Sequence, residues 1–164
     1  MGQPAAYLPD TLRIEDPMTD LRLMNDIFVI CEIRSDSAEV EISGSPNAMA
    51  AFGHFLRNIT ASCHLEVPTC DPSPYPLSLP RIAVEIAQDD TGRLTASVDQ
   101  MALTISGARE VIANLGRSLQ GFSDENTKAG THFHLDHFDG SLNRSEMDCG
   151  LIFAVRPRPI ERSN

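Results

Sequence analysis

Two regions of the chain carry the same alternation of apolar and polar positions. The run AEVEI places Val40 and Ile42 on one face of a predicted strand. Apolar residues then recur at three- and four-residue spacing as far as Ile59, which predicts a helix with one apolar stripe. In the second half a similar strand precedes a similar stripe, which runs from Val111 to Leu119.

The two regions form an internal repeat, which indicates a duplicated architecture. The tripeptide Ile-Ser-Gly at 42–44 recurs at 105–107. At the same offset, three residues of the first predicted helix have identical counterparts in the second, namely Ala50, Gly53 and Leu56 against Ala113, Gly116 and Leu119. Further along, the segment HLE at 64–66 corresponds to HLD at 134–136. Each half therefore predicts the order strand, strand, helix, strand, strand.

The element order favours an α+β fold, because strands and helices do not alternate as in a doubly wound parallel sheet. Strands are predicted near 27–34, 38–43, 61–67, 81–87, 93–98, 101–106, 131–136 and 151–156. We expect a mostly antiparallel sheet with two helices packed on one face. One half alone would bury too little apolar surface, so we expect both halves to share one core about a pseudo-twofold axis.

The connections set the predicted limits of the halves. Residues 1–25 form an irregular N-terminal segment, 26–90 the first half and 91–157 the second, and 158–164 form a tail. Within the first half, the segment 68–80 holds five prolines and is predicted to be an extended loop rather than an element.

The net charge of the chain limits the classes of partner that it is expected to bind. The chain has 164 residues, with 13 basic and 23 acidic side chains, and its formal net charge is −10 at pH 7. The electric field of this negative charge repels the nucleic-acid backbone and anionic lipid. The charge therefore argues against a protein that binds nucleic acid or a membrane surface. It attracts a basic protein partner and speeds their encounter.

Cysteine usage and the N-terminus predict a cytoplasmic protein. Four cysteines are too few and too scattered for a disulfide scaffold, so reduced thiols are expected. The first residues also lack the basic start and apolar stretch of a secretory signal.

A histidine cluster at 131–140 is the sharpest local feature. Its H-x-H-x-D-H pattern resembles the metal-binding signature of metallo-β-lactamase-fold hydrolases, and His132, His134 and Asp136 would share one face of a strand. However, the chain after His137 contains no further histidine to complete such a site. We therefore favour a strand whose apolar residues point into the core and whose polar residues line the surface, with no catalytic, cofactor or metal role.

Each of the two repeated halves resembles the family called immunity protein thirty-two, from bacterial polymorphic toxin systems. The resemblance runs through the strand ending in VEISG or LTISG, the amphipathic helix, and the strand containing HLD with its apolar successor. It implies a non-catalytic protein without a cofactor that binds a cognate toxin domain and blocks it. The acidity of the chain favours a basic toxin.

Candidate partner-binding residues are exposed acids and the two histidines. They are Glu39, Glu41, Asp124, Glu125, His132, His134, Asp136 and Asp139. Two other functions stay open at this point, a metal-dependent hydrolase that uses the histidine cluster and a non-catalytic adaptor or regulatory module. An open strand edge would also allow a homo-oligomer.

Overall fold

The computed structural model describes residues 21–88, 92–123, 127–135 and 148–156. The strands of this part of the chain are β1 (Ile27–Ile33), β2 (Ser37–Gly44), β3 (Cys63–Glu66), β4 (Leu77–Leu79), β5 (Arg81–Ile86), β6 (Leu94–Asp99), β7 (Ala102–Gly107), β8 (His132–Leu135) and β9 (Asp148–Val155). The helices are α1 (Pro46–Asn58) and α2 (Arg109–Gln120), and short 3-10 turns lie at Leu21–Asp26 and Gly121–Ser123. The predicted α+β class, with two helices and mostly antiparallel strands, is confirmed.

The strands divide between two sheets, and the halves exchange their last strands. Sheet A has the order β4-β1-β2-β9-β8, and sheet B has the order β3-β5-β7-β6. Sheet A thus joins β1, β2 and β4 of the first half to β8 and β9 of the second half. Sheet B joins β6 and β7 of the second half to β3 and β5 of the first half. The two junctions, β2 with β9 and β5 with β7, are the parallel pairs among otherwise antiparallel described neighbours.

A single buried cluster contains residues from both sheets and both helices. Alternate residues of each strand supply it, such as Val40 and Ile42 of sheet A and Leu103 and Ile105 of sheet B. Since each sheet contains strands from both halves, neither half could complete its own sheet alone. The predicted limits of the halves stay a prediction.

The helices cross where their matching glycines meet. Ser45 caps α1, because its hydroxyl accepts a hydrogen bond from the Ala48 N–H at 3.2 Å, and Pro46 occupies the first turn. A Cβ atom added to Gly53 would lie 2.6 Å from the Gly116 carbonyl oxygen, and one added to Gly116 would meet the Gly53 carbonyl. The reciprocal contacts indicate an approximate twofold axis between the helices.

Two local predictions need correction. The segment 68–80 was predicted to lack any element, but Leu77–Leu79 forms β4 at the edge of sheet A. Three residues flanked by Pro76 and Pro80 suffice there, because an edge strand tolerates prolines at its ends. In addition, β9 begins at Asp148 and not near residue 151, since it pairs along the whole of β2.

The turn between β6 and β7 supplies a stability prediction. Its two central residues, Gln100 and Met101, have φ values of 47° and 62°, a left-handed backbone that Asn-Gly adopts more readily. We expect the double substitution Gln100→Asn/Met101→Gly to raise the free energy of unfolding by about 1 kcal/mol in urea titrations. Met101→Ala, which keeps the strained backbone and removes only an exposed side chain, should change it little. Equal values for these two variants would contradict a strained turn.

Candidate functional site

The candidate site lies on the outer face of sheet A, meaning the residues of this sheet that point away from the core. Side chains alternate along each strand, so Val40 and Ile42 enter the core while Glu39, Glu41 and Ser43 point outward. One register row of outward residues crosses all five strands: Ser78, Ile30, Glu41, Ile152 and His134. The parallel pairing of β2 with β9 therefore brings residues from distant parts of the sequence together on one surface.

An ion pair stands at the centre of this face. Glu41 is only 3% exposed, yet its carboxylate accepts hydrogen bonds from Arg156 at both oxygens, from Nε at 2.5 Å and from Nη2 at 2.6 Å. The carboxylate loses hydration because it is buried between Ile30 and Ile152, and the two charge-assisted hydrogen bonds offset this desolvation. Its hydrogen bonds to Glu41 also raise the pKa of Arg156, so the guanidinium stays charged.

The proline-rich loop borders the face on one side. The Tyr75 hydroxyl donates to Glu39 Oε1 at 2.7 Å, which ties this loop to β2. The pKa of the Tyr75 phenol is raised, mainly because the phenol is partly buried. The hydrogen bond to Glu39 and the negative charge of Glu39 raise it further. Tyr75 is therefore a neutral donor at physiological pH.

His132 and His134 border the face on the other side. His132 and His134 are exposed on β8, with ring centroids 5.1 Å apart and ring planes at 74°. His132 Nδ1 lies 2.8 Å from the Gly130 carbonyl, so an Nδ1–H donates to it and Nε2 faces outward as an acceptor in the neutral ring. On the opposite side of β8, Phe133 stacks on Phe153 at 5.0 Å and holds the strand against the core. The predicted division of this strand between core and surface is confirmed for its described residues.

A pocket of about 230 Å³ opens between the ion pair and the histidines. It is lined by Glu41, Gly130, His132, His134, Ile152, Ala154 and Arg156. Ile152 and Ala154 form an apolar floor, the imidazole rings form one wall, and the Glu41–Arg156 pair forms the other. Such a pocket can accept a side chain that is mainly apolar and carries a polar edge.

Sheet B does not repeat this site, although its four strands correspond to β1, β2, β9 and β8 of sheet A. Its equivalent register row contains His64, Ala83 and Thr104 in place of His134, Ile152 and Glu41. Ala87 takes the position of Arg156, because each donates its backbone N–H to the glycine that ends the neighbouring parallel strand. The ion pair is thus one of the features that distinguish sheet A from sheet B.

The structure brings four of the predicted partner-binding residues together and corrects one of them. Glu39, Glu41, His132 and His134 share the outer face of sheet A, but Glu41 is buried and paired, so its predicted exposure is wrong. The physical reason is that Arg156, 115 residues away in sequence, reaches it across the parallel junction. The other four predicted residues, Asp124, Glu125, Asp136 and Asp139, lie outside the described residues.

Sequence reasoning missed Arg156, Tyr75 and the apolar floor of the pocket. Arg156 follows the apolar run of β9 directly, and such a charge at a strand end usually marks only the end of burial. Nothing local signals its partner on β2.

Two further structural findings concern metal and membrane. Within residues 21–88, 92–123, 127–135 and 148–156, no group of three His, Cys, Asp or Glu side chains is arranged to hold a metal ion. Neither described helix is long and apolar enough to cross a membrane.

Comparison with known proteins assigns the family. A family model described as Immunity protein 32 matches residues 39–75 and 102–155, which together make up more than half of the chain. The chain therefore belongs to this family of immunity proteins. Both matched segments begin at the same position of the repeat, since Glu39 of β2 corresponds to Ala102 of β7. No curated protein and no solved structure shows significant similarity to the chain.

Proposed function

We propose that this protein binds a cognate toxin domain with a basic surface and neutralises it in the cytoplasm, by binding and not by turnover. The observation that carries the proposal is the family match over both halves, because immunity proteins protect cells from toxins. The net charge of −10 supports a basic partner, since opposite charges speed association and favour the correct register. In the cytoplasm all four cysteines are expected to stay reduced.

Binding to such a toxin would place acidic side chains over a positively charged substrate cleft. Glu39 is an exposed acid on the outer face of sheet A, and the two histidines lie across the same face. This face also presents a rigid surface, because β8 and β9 are held from beneath by stacked phenylalanines. A rigid surface loses little conformational entropy when it binds.

Co-expression with the domain encoded by the neighbouring reading frame tests the proposal. We expect that domain to arrest growth of a heterologous bacterial host by itself, and this chain to restore growth when both are produced. The matched controls are the same gene with a stop codon in β2 and an unrelated domain of equal net charge, neither of which should restore growth. Continued arrest in the presence of abundant folded chain would contradict neutralisation.

A further inference from the structure

We propose that the pocket between the Glu41–Arg156 pair and the two histidines receives one aromatic side chain of the toxin, as the anchor of the complex. This inference rests on the proposed function and specifies which part of the partner the outer face of sheet A recognises. The argument uses the size of the pocket, its chemistry and its surroundings.

Size favours a single side chain over a free small molecule. Small-molecule sites usually enclose roughly 300–1,000 Å³, whereas this pocket encloses about 230 Å³. It also lies on an open sheet face, with His132, His134 and Arg156 all exposed at its border. A side chain presented by a second protein can enter from that direction.

The chemistry of the pocket favours a neutral aromatic group. The charge of Arg156 is matched within the pocket by Glu41, so this pair offers no unmatched counter-ion to an inserted ammonium or carboxylate. A charged side chain would therefore lose hydration without full compensation. An aromatic ring would instead contact Ile152 and Ala154 and stack against imidazole and guanidinium groups, both of which favour aromatic faces.

The surroundings of the pocket fit a basic partner. Glu39 lies exposed on the same strand face as Glu41, two residues before it on β2, and the whole chain carries a charge of −10. A pocket without surplus charge from its ion pair, with polar residues at its border and the exposed acid Glu39 on the same face, matches the usual arrangement of an interface, in which an apolar centre has a polar rim. Aromatic residues are among the commonest energetic anchors of such centres.

Pocket-filling variants test the inference, with binding to the purified toxin domain measured by titration calorimetry. We expect Ala154→Leu, which fills the pocket from its floor, to weaken binding about thirtyfold or more, and His134→Ala, which removes part of a wall, to weaken it about fivefold. The matched control is His64→Ala, which truncates the equivalent histidine of sheet B and should leave affinity within about twofold of the wild-type value. Thermal unfolding and circular dichroism establish that each variant is folded.

If Ala154→Leu does not fold, Ala154→Val is the smaller pocket-filling substitution, and His134→Ala leaves the floor unchanged. The occupant is identified by alanine substitutions of exposed aromatic residues on the toxin domain. One of them should weaken binding to the wild-type chain strongly and binding to the pocket-filled variant hardly at all.

Each outcome separates the two proposals. If the wild-type chain does not bind the toxin domain, the proposed function fails, and this inference fails with it. If the wild-type chain binds and the pocket-filled variant binds equally well, only the pocket inference fails. Coupling of the pocket to a lysine, arginine or acidic residue of the toxin, and to no aromatic one, would overturn the choice of occupant.

Discussion

Replacing Gly53 with alanine is expected to lower the free energy of unfolding by about 2 kcal/mol. The added Cβ would lie 2.6 Å from the Gly116 carbonyl oxygen, 2.9 Å from the Leu119 Cβ and 3.0 Å from the Gln120 nitrogen. Because two of these atoms belong to the backbone of α2, relief requires the helices to separate. The loss outweighs the gain of about 1 kcal/mol that alanine usually gives in a helix interior.

Urea titration and thermal unfolding measure this effect, with an expected drop in Tm of about 4–8 °C for a chain of this size. The matched control is Gly121→Ala, since a Cβ at Gly121 would meet nothing within 4 Å and the backbone there is helical. That variant should be neutral or slightly stabilised. Equal stability of both variants would show that the helices do not cross closely at Gly53.

The second large effect concerns the ion pair on sheet A. Arg156→Met keeps an apolar stem but leaves the Glu41 carboxylate buried without its bidentate partner. We expect it to lower the free energy of unfolding by about 2 kcal/mol, less than the full cost of an orphaned buried charge, because the Arg156 side chain is 50% exposed and water can reach the site. Adding Glu41→Leu should restore most of the loss, since no buried charge then remains.

Arg81→Met is the matched control for this measurement. It breaks the Arg81–Glu66 pair of sheet B, which has a comparable N–O distance of 2.8 Å but is exposed on both sides. Exposed pairs contribute about 0–1 kcal/mol, so the loss should be small. A loss at Arg156 no larger than that at Arg81 would contradict a structural role for the buried pair.

Much of this fold could be predicted from the sequence, because the apolar periodicities are local and the repeat is visible as matching residues in the two halves. The matched glycines Gly53 and Gly116 were aligned by the repeat, and in the structure they meet at the helix crossing. The division of β8 also followed from alternation, with Phe133 packed inward and His134 exposed. The signal for β8 lies within a few residues of the strand, whereas the two glycines were matched by comparing the halves of the repeat.

The strand exchange could not be predicted in this way. A strand such as β9 has the same apolar pattern whether it pairs within its own half or with β2 of the other half. The exchange in turn decides the environment of Glu41, which alternation places correctly on the outer face but cannot place beside Arg156. The candidate site was therefore only partly predictable, because the strand junction at its centre is a non-local contact.

The duplication explains why only one sheet carries the site. The repeated strands place Thr104 and Ala87 in sheet B at the positions that Glu41 and Arg156 occupy in sheet A. A shared core preserves the scaffold during such divergence, since the changed residues point away from it. We infer that sheet A is the recognition surface for this reason.

The most direct measurement of the central claim is inhibition of the purified toxin domain by the purified chain. The account predicts a stable complex of fixed stoichiometry in which the activity of the toxin is lost as the chain is titrated to equivalence. Full toxin activity at a large molar excess of folded chain, with no heat of binding, would contradict it.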